Sequence, residues 1–110
     1  MNKQVIAAQN DTYRRRLVGG GGVAGRTVMT AGIARLDPER LGRILRTVAS
    51  FSAFDQDNDP HHEHDFGSIE DDGDRIFWKF DYYADESMEY GAEDPVSSYR
   101  VLTVMFAAEY

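Results

Sequence analysis

The sequence predicts a single α+β domain in the order α-β-α-β-β-β, with about two helices packed on one face of a three- to four-stranded, mainly antiparallel sheet. Two observations predict this fold: a strongly amphipathic helix pattern over residues 37–51, and two apolar strand segments, 66–71 and 75–83, joined by a turn dipeptide. A chain of 110 residues has room for one core. We therefore assign residues 1–110 to one domain, with the Gly-rich residues 18–25 as a connector.

Two helices are predicted. The first covers residues 3–17, although its apolar stripe is imperfect. The second has Asp37 as a good N-cap and Pro38 at the first helical position. Its apolar residues recur at helical spacing and form one buried stripe that must cover a sheet: Leu41, Ile44, Leu45, Val48 and Phe51.

The strands are predicted from short apolar runs and from the turns between them. The segments 66–71 and 75–83 flank Asp72-Gly73, the dipeptide favoured in a type I′ hairpin turn. A first strand is predicted near residues 26–30 and a last one over 99–108. The glycines of 19–25 match a dinucleotide-binding spacing, but a helix precedes them and a strand follows, which is the wrong order for a phosphate loop.

Charge is divided unevenly along the chain, whose net charge is −7. Residues 1–54 carry nine Lys and Arg against three Asp and Glu, whereas residues 55–110 carry three against sixteen. Two interpretations are open. The basic and acidic parts pair with each other at the rim of the domain, or the acidic part presents a negative field to a basic partner.

If the second interpretation holds, the partner-binding carboxylates come from two acidic loops and from the hairpin turn. We predict the following partner-binding residues: Asp55, Asp57, Asp59, Glu63, Asp65, Asp71, Asp72, Asp74, Asp85, Glu86, Glu89, Glu93 and Asp94.

The loop 55–65 combines aspartates with all three histidines and allows several interpretations. Calcium binding in an EF-hand is rejected, because Pro60 and Phe66 stand where such a loop needs Gly and Glu. A structural turn, held by Asp and Asn side chains, is favoured. The alternative is a small metal-binding domain or metal-dependent enzyme, whose ligands would be Asp59, His61, His64 and Asp65. We expect no cofactor.

The predicted strands are apolar on both faces, and two helices cannot cover both. Residues of the second face are therefore predicted to form a homodimer or a partner contact: Phe77, Tyr83, Val101 and Met105. The alternative is that loops cover this face.

Enzymatic function is not predicted. The chain has no cysteine, and no serine lies in a nucleophile elbow. Direct nucleic-acid binding through 14–16, Arg40, Arg43 and Arg46 is opposed by the net negative charge. The amino-terminal residues lack the apolar core of a signal peptide, and no segment is apolar enough to span a membrane, so we expect a cytoplasmic protein without membrane contact.

Five stretches are distinctive: Val28-Met29-Thr30-x-Gly32-Ile33, Asp57-Asn58-Asp59-Pro60-x-x-Glu63-His64-Asp65-Phe66-Gly67, Phe77-Trp78-Lys79-x-Asp81-Tyr82-Tyr83, Glu93-Asp94-Pro95 and Arg100-Val101-Leu102-Thr103-x-Met105 through Glu109-Tyr110. Over residues 5–110 the chain resembles an uncharacterised bacterial family, domain of unknown function 3768. The resemblance implies alphaproteobacterial genomes, plasmids and other mobile elements, and no established activity, so no catalytic residue is transferred.

Small proteins of mobile elements are often inhibitors of host defence nucleases, an association that is independent of these residues. Together with the acidic surface, it leads us to expect a non-enzymatic inhibitor of the anti-CRISPR or anti-restriction type. Such a protein would bind a basic nucleic-acid-binding protein or complex rather than nucleic acid itself.

Overall fold

The computed structural model describes residues 2–17 and 24–110. It contains the helices α1 (Asn2–Arg15), α2 (Ala31–Ala34) and α3 (Pro38–Ser50). Most of the predicted Gly-rich connector, residues 18–23, lies outside the described residues. Within the described residues no helix is long and apolar enough to cross a membrane.

Four strands form one mixed sheet: β1 (Gly25–Met29), β2 (Phe66–Asp71), β3 (Asp74–Tyr83) and β4 (Tyr99–Phe106). Their spatial order is β1-β4-β3-β2, with β1 parallel to β4 and the other two pairs antiparallel. The predicted α+β class and its mainly antiparallel sheet are confirmed. The short helix α2 was not predicted, because four residues are too few to show helical periodicity.

The helices cover one face of the sheet, and the core lies between the helices and this face. Trp78, Ile76 and Leu102 on the central strands are fully buried, and so are Ile44 and Val48 of α3. Trp78 packs edge-on against Phe51 and Phe54, which follow α3 in the chain.

The helix α3 begins as the sequence predicts. The Asp37 side chain accepts a hydrogen bond from the Arg40 backbone N–H at 2.9 Å, and Pro38 opens the first turn. The hairpin between β2 and β3 is also confirmed. Asp72 and Gly73 have φ values of 53° and 83°, the left-handed conformations that a type I′ turn requires.

The carboxyl-terminal turn is fastened to α2 through Glu109. Its carboxylate accepts hydrogen bonds from the Thr30 hydroxyl at 2.6 Å and from the Gly32 N–H at 2.8 Å. These bonds hold the pKa of Glu109 below its ordinary value. The chain end is thereby fixed beside β4, and Tyr110 reaches the face of the sheet that lacks helices, where its ring packs against Phe66 and Phe77.

Candidate functional site

The strand register separates the acidic residues into two groups. Asp71 pairs with Asp74 at the hairpin end of β3, whereas Tyr83 pairs with Tyr99 at the other end. The loop 52–65 leads from α3 into β2, and the loop 84–98 joins β3 to β4. Both meet the sheet at this second end, which we call the loop end of the sheet. The strand β3 has ten residues, so the two ends lie roughly 30 Å apart. The predicted acidic residues therefore do not form one continuous surface.

At the hairpin end the protein neutralises its own carboxylates. Arg40 donates to Asp71 at 2.9 Å and to Asp74 at 2.8 Å, and Arg43 donates to Asp71 at 2.7 Å. Asp71 is only 10 % exposed, and the hydrogen bonds from Arg43 and then Arg40 lower its pKa to about 2. Two predicted partner-binding residues, Asp71 and Asp74, are thus already paired, as in the alternative interpretation of internal charge pairing.

Replacing Asp71 by Asn should lower the melting temperature at neutral pH by on the order of 5 °C, because two arginines lose their charged acceptor. The native pKa of Asp71, about 2, lies below its ordinary value of 3.8. The wild-type advantage should therefore be complete above pH 3.8 and disappear as the pH falls to about 2. Thermal unfolding of both proteins across this interval measures it.

Asp72→Asn is the matched control for this prediction. Asp72 is exposed in the same turn, and Asn is favoured at its positive φ of 53°. The control should follow the wild type at every pH. A constant difference between wild type and Asp71→Asn from neutral pH to pH 2 would contradict the assignment.

At the loop end, the first acidic loop is held by its own side chains. Asp55 Oδ1 accepts hydrogen bonds from the backbone N–H groups of Asp57 and Asn58, both at 2.9 Å. Asn58 makes the reciprocal contact, because its Oδ1 accepts a hydrogen bond from the Asp55 N–H at 2.9 Å. These contacts form the structural turn favoured for this loop, and they leave Asp57 exposed.

Asp59 and His64 anchor the loop beneath its surface. Asp59 is 2 % exposed, and its Oδ1 accepts a hydrogen bond from the His64 backbone N–H at 3.1 Å. The His64 imidazole stacks on Phe54 at 3.8 Å, and its Nδ1 lies 3.0 Å from both carboxylate oxygens of Asp11 in α1. Asp59 is therefore not part of an exposed partner-binding surface, because burial removes it from contact with a macromolecular surface.

The alternative metal ligands are only partly brought together. His64 Nε2 lies 3.6 Å from Asp59 Oδ2, whereas His61 is exposed and Asp65 is partly buried at the start of β2. Within residues 2–17 and 24–110, no three His, Asp or Glu side chains are grouped so that they could hold a metal ion.

Within the described part of the chain, no arginine forms an ion pair with the carboxylates of Glu63 and Asp65. Partial burial, followed by neighbouring negative charges, raises the pKa of both. The neighbouring charge is Asp65 for Glu63 and Asp59 for Asp65. Tyr82 lies among the same groups, and burial is the main cause that raises its pKa to about 12. The first acidic loop thus places three carboxylates, Asp59, Glu63 and Asp65, near one another.

The second acidic loop is exposed, and its bends are made by its own side chains. Asp85 accepts a hydrogen bond from the Ser87 N–H at 2.9 Å, which lowers its pKa, and Asp94 accepts from the Val96 N–H at 3.1 Å. The five predicted residues of this loop all remain exposed to solvent: Asp85, Glu86, Glu89, Glu93 and Asp94.

The second face of the sheet is less open than predicted. Val101 and Met105 are buried, with exposures of 6 % and 2 %. Residues 85–87 line a shallow depression together with Arg26 of β1, so the second acidic loop reaches over β4 beside Val101. Tyr110 covers Phe77. Loops and the chain end therefore cover much of this face, which was the alternative, and the homodimer stays a prediction.

Sequence reasoning missed two buried arginines. Arg100 is fully buried and donates to Asn10 Oδ1 at 2.6 Å and to Gln9 Oε1 at 2.9 Å, which ties β4 to α1. Arg14 is 2 % exposed, although the sequence groups it with Arg15 and Arg16 as a candidate contact for nucleic acid. Burial lowers the pKa of both guanidinium groups. For Arg14 the available signal was the polar interruption of the apolar stripe of α1 at this position.

Fold and site together define a small mixed sheet that helices cover on one face, with two acidic loops at one end. The chain belongs to the family described as "Protein of unknown function (DUF3768)", whose model matches residues 29–109. The resemblance stated from the sequence motifs is thereby confirmed. No curated protein and no solved structure matches the chain.

Proposed function

We propose that this protein is a non-enzymatic acidic binding protein whose two acidic loops occupy a basic, nucleic-acid-binding surface on a larger partner. The candidate partner is a host defence system that targets nucleic acids, of the CRISPR or restriction type. One observation supports this most directly. Asp71 and Asp74 of the hairpin end are paired with the protein's own arginines, whereas among residues 2–17 and 24–110 no arginine forms an ion pair with an acid of the loops 55–65 and 85–94.

The charge density of nucleic acid explains why the acidic loops would suit a basic, nucleic-acid-binding surface. Duplex DNA carries one negative charge per roughly 1.7 Å of its axis, and a basic groove is built to neutralise that density. The exposed residues of the loop end that are free to contribute are Asp55, Asp57, Asp85, Glu86, Glu89, Glu93 and Asp94. The other six predicted residues do not contribute. Asp59 is buried, Glu63 and Asp65 are half-buried, and Asp71 and Asp74 are paired with arginines, while Asp72 lies in the hairpin turn at the other end of the sheet.

Charge reversal tests the proposal. The double variant Asp57→Lys, Glu93→Lys should lose the partner captured from the native host, with affinity reduced at least roughly tenfold. Wild-type binding should weaken steeply with salt and vanish near 1 M, where the screening length falls to about 3 Å. The purified partner should also release labelled DNA or RNA when wild-type protein is added, as measured by fluorescence anisotropy.

The control is Glu39→Lys, Glu70→Lys, which makes the same change of net charge at the hairpin end. Both residues are exposed, and the surface pair of Glu70 with Arg75 contributes little to stability. This variant should bind as the wild type does. Equal loss in both variants, or binding that persists in the loop-end variant, would refute a specific acidic surface.

A further inference from the structure

An open depression lies where the carboxyl-terminal ends of α1 and α3 come together, and we call it the arginine depression. Its volume is about 460 Å³. Two arginines line it together with small and aromatic residues: Arg15, Arg46, Ala49, Ser50, Phe51 and Ser52. No acid is among these six residues, so the lining carries only positive charge. Neither the core nor the acidic loops account for two arginines at one depression.

Both arginines keep their charge unpaired. Arg15 and Arg46 are exposed, and every ion pair that an arginine forms among residues 2–17 and 24–110 belongs to a different arginine. The remaining positions, 1 and 18–23, contain no Asp or Glu, so the rest of the chain offers no acid either. Two unpaired positive charges at one depression attract an anion from outside the protein.

The carboxyl-terminal end of a helix is negative, which by itself would oppose an anion at this place. A third arginine offsets this charge. Arg14 is buried and donates to the carbonyl oxygens of Val48 and Phe51 at 2.8 and 2.9 Å, so it caps the end of α3. Arg15 and Arg46 are therefore not required for capping and are available to a ligand.

The Arg46 side chain has room to adjust. Its Nη1 atom lies close to α3, at 3.2 Å from the position that a methyl group on Gly42 would take. Because no ion pair within the described ranges holds the guanidinium there, rotation of this exposed side chain can bring it over the depression on a fast timescale.

We propose that the arginine depression binds a phosphate monoester whose organic part is small and apolar. A monoester carries close to two negative charges at neutral pH, which two guanidinium groups match, and their planar forks donate to phosphate oxygens in pairs. A carboxylate or a phosphodiester carries only one charge. Half-buried Ala49 and Phe51 provide an apolar wall for the organic part. The site does not rest on the proposed function, because the acidic loops take no part in it.

The test titrates ¹⁵N-labelled protein with phenyl phosphate at about pH 7.5, where this probe is mostly a dianion, and follows the arginine Nε–Hε resonances. Those of Arg15 and Arg46 should shift saturably, with Kd on the order of 1 mM. Benzenesulfonate has the same ring but a single charge, and it should bind about fivefold more weakly at equal ionic strength. Inorganic phosphate lacks the ring and should bind about threefold more weakly.

Variants separate the depression from the general charge of the surface. Arg15→Gln and Arg46→Gln each remove one fork and should weaken phenyl phosphate binding about tenfold. Arg46→Lys keeps the charge without the fork, so its affinity should lie between those of the wild type and Arg46→Gln. Arg16→Gln is the matched control, because Arg16 is exposed beside Arg15 in the chain but does not line the depression. The control should bind as the wild type does.

A nucleic acid is the other source of phosphate, and a single-stranded pentanucleotide without terminal phosphates represents it. This probe carries diesters alone, and the net charge of −7 repels a polyanion, so it should not displace phenyl phosphate. Displacement by this oligonucleotide would overturn the monoester assignment in favour of a nucleic-acid surface.

Three further results would overturn the proposal: equal affinity for benzenesulfonate and phenyl phosphate, an Arg16→Gln protein that binds as weakly as Arg15→Gln, or the absence of any saturable shift. The titration uses no macromolecular partner. It therefore separates a failure of the arginine depression from a failure of the proposed function, which the reversal of Asp57 and Glu93 tests.

Discussion

Replacing Arg14 by Met should destabilise the protein by roughly 3–5 kcal/mol, the cost of removing one partner from a buried polar cluster. The Arg14 guanidinium donates to the carbonyl oxygens of Val48 and Phe51 at 2.8 and 2.9 Å, and so closes the end of α3 against α1. Met keeps the apolar stem but leaves two carbonyls without this donor and Asp11 without its ion pair. Urea denaturation measures the loss.

Arg15→Met is the matched control for this prediction. Arg15 is the next residue of the same helix and is exposed, so its replacement should change stability by less than about 0.5 kcal/mol. If Arg14→Met does not fold, Arg14→Lys provides the measurement, because an ammonium cannot reach all three acceptors and should recover only part of the stability. An Arg14→Met protein as stable as Arg15→Met would contradict the assignment.

The Arg14 cluster also perturbs the environment of the single tryptophan. The Arg14 Cζ atom lies 4.5 Å from the Trp78 ring centroid, over the indole face. The near-ultraviolet circular dichroism of Trp78 should therefore change in Arg14→Met and not in Arg15→Met. This readout distinguishes loss of the buried guanidinium from a general loss of helix.

The helix α3 and the hairpin of β2 and β3 could be predicted from the sequence because each carries a local signal. The N-cap Asp37 with Pro38 locates the start of α3, and Asp72-Gly73 locates the hairpin. Each signal reflects backbone chemistry within a few residues, so no tertiary information is needed. The helix α2 and the parallel pairing of β1 with β4 have no such signal, because they depend on contacts distant in sequence.

The candidate site was harder to predict because charge pairing is decided by tertiary geometry. In the sequence, Asp71 and Asp57 are equivalent acids, yet the packing of α3 beside β2 brings Asp71 to Arg40, whereas Asp57 lies in a loop. Likewise nothing local shows that Asp59 is buried, since its position depends on His64 and Asp11, which belongs to another element.

The number of acidic residues in the sequence therefore overstates the negative charge that the folded protein exposes. Only the tertiary structure shows which of these residues are exposed and which are buried or paired. The same lesson applies to the arginines. Arg40 and Arg43 are committed to the hairpin carboxylates, and Arg14 is buried, so three of the six arginines considered for nucleic-acid contact are engaged within the domain.

Gly67 illustrates a position that the sequence marked but did not explain. It lies in β2 directly opposite Trp78, on the core face. A methyl group at Gly67 would lie inside contact distance of the Cε2, Nε1 and Cζ2 atoms of Trp78. The indole cannot retreat, since Trp78 is fully buried against Phe51, Phe54 and Phe80. A glycine within a strand is a known sign of such close approach.

Replacing Gly67 by Ala should therefore destabilise the protein by about 3 kcal/mol, as expected when a well-packed core is overfilled. Gly42→Ala is the control: Gly42 lies in α3, and its added methyl would meet only the flexible end of Arg46, with Nη1 at 3.2 Å. That change should stabilise the helix by roughly 0.5–1 kcal/mol. Chemical denaturation of the two variants should give effects of opposite sign.

A double-mutant cycle with Trp78→Phe identifies the cause of the Gly67 effect. If the alanine acts through the indole, the smaller ring should accept the methyl group, and Gly67→Ala should cost less than about 1 kcal/mol in that background. Backbone restriction at Gly67 would instead give the same cost in both backgrounds. Additive effects would thus reject the packing explanation, because two residues in direct contact must be energetically coupled.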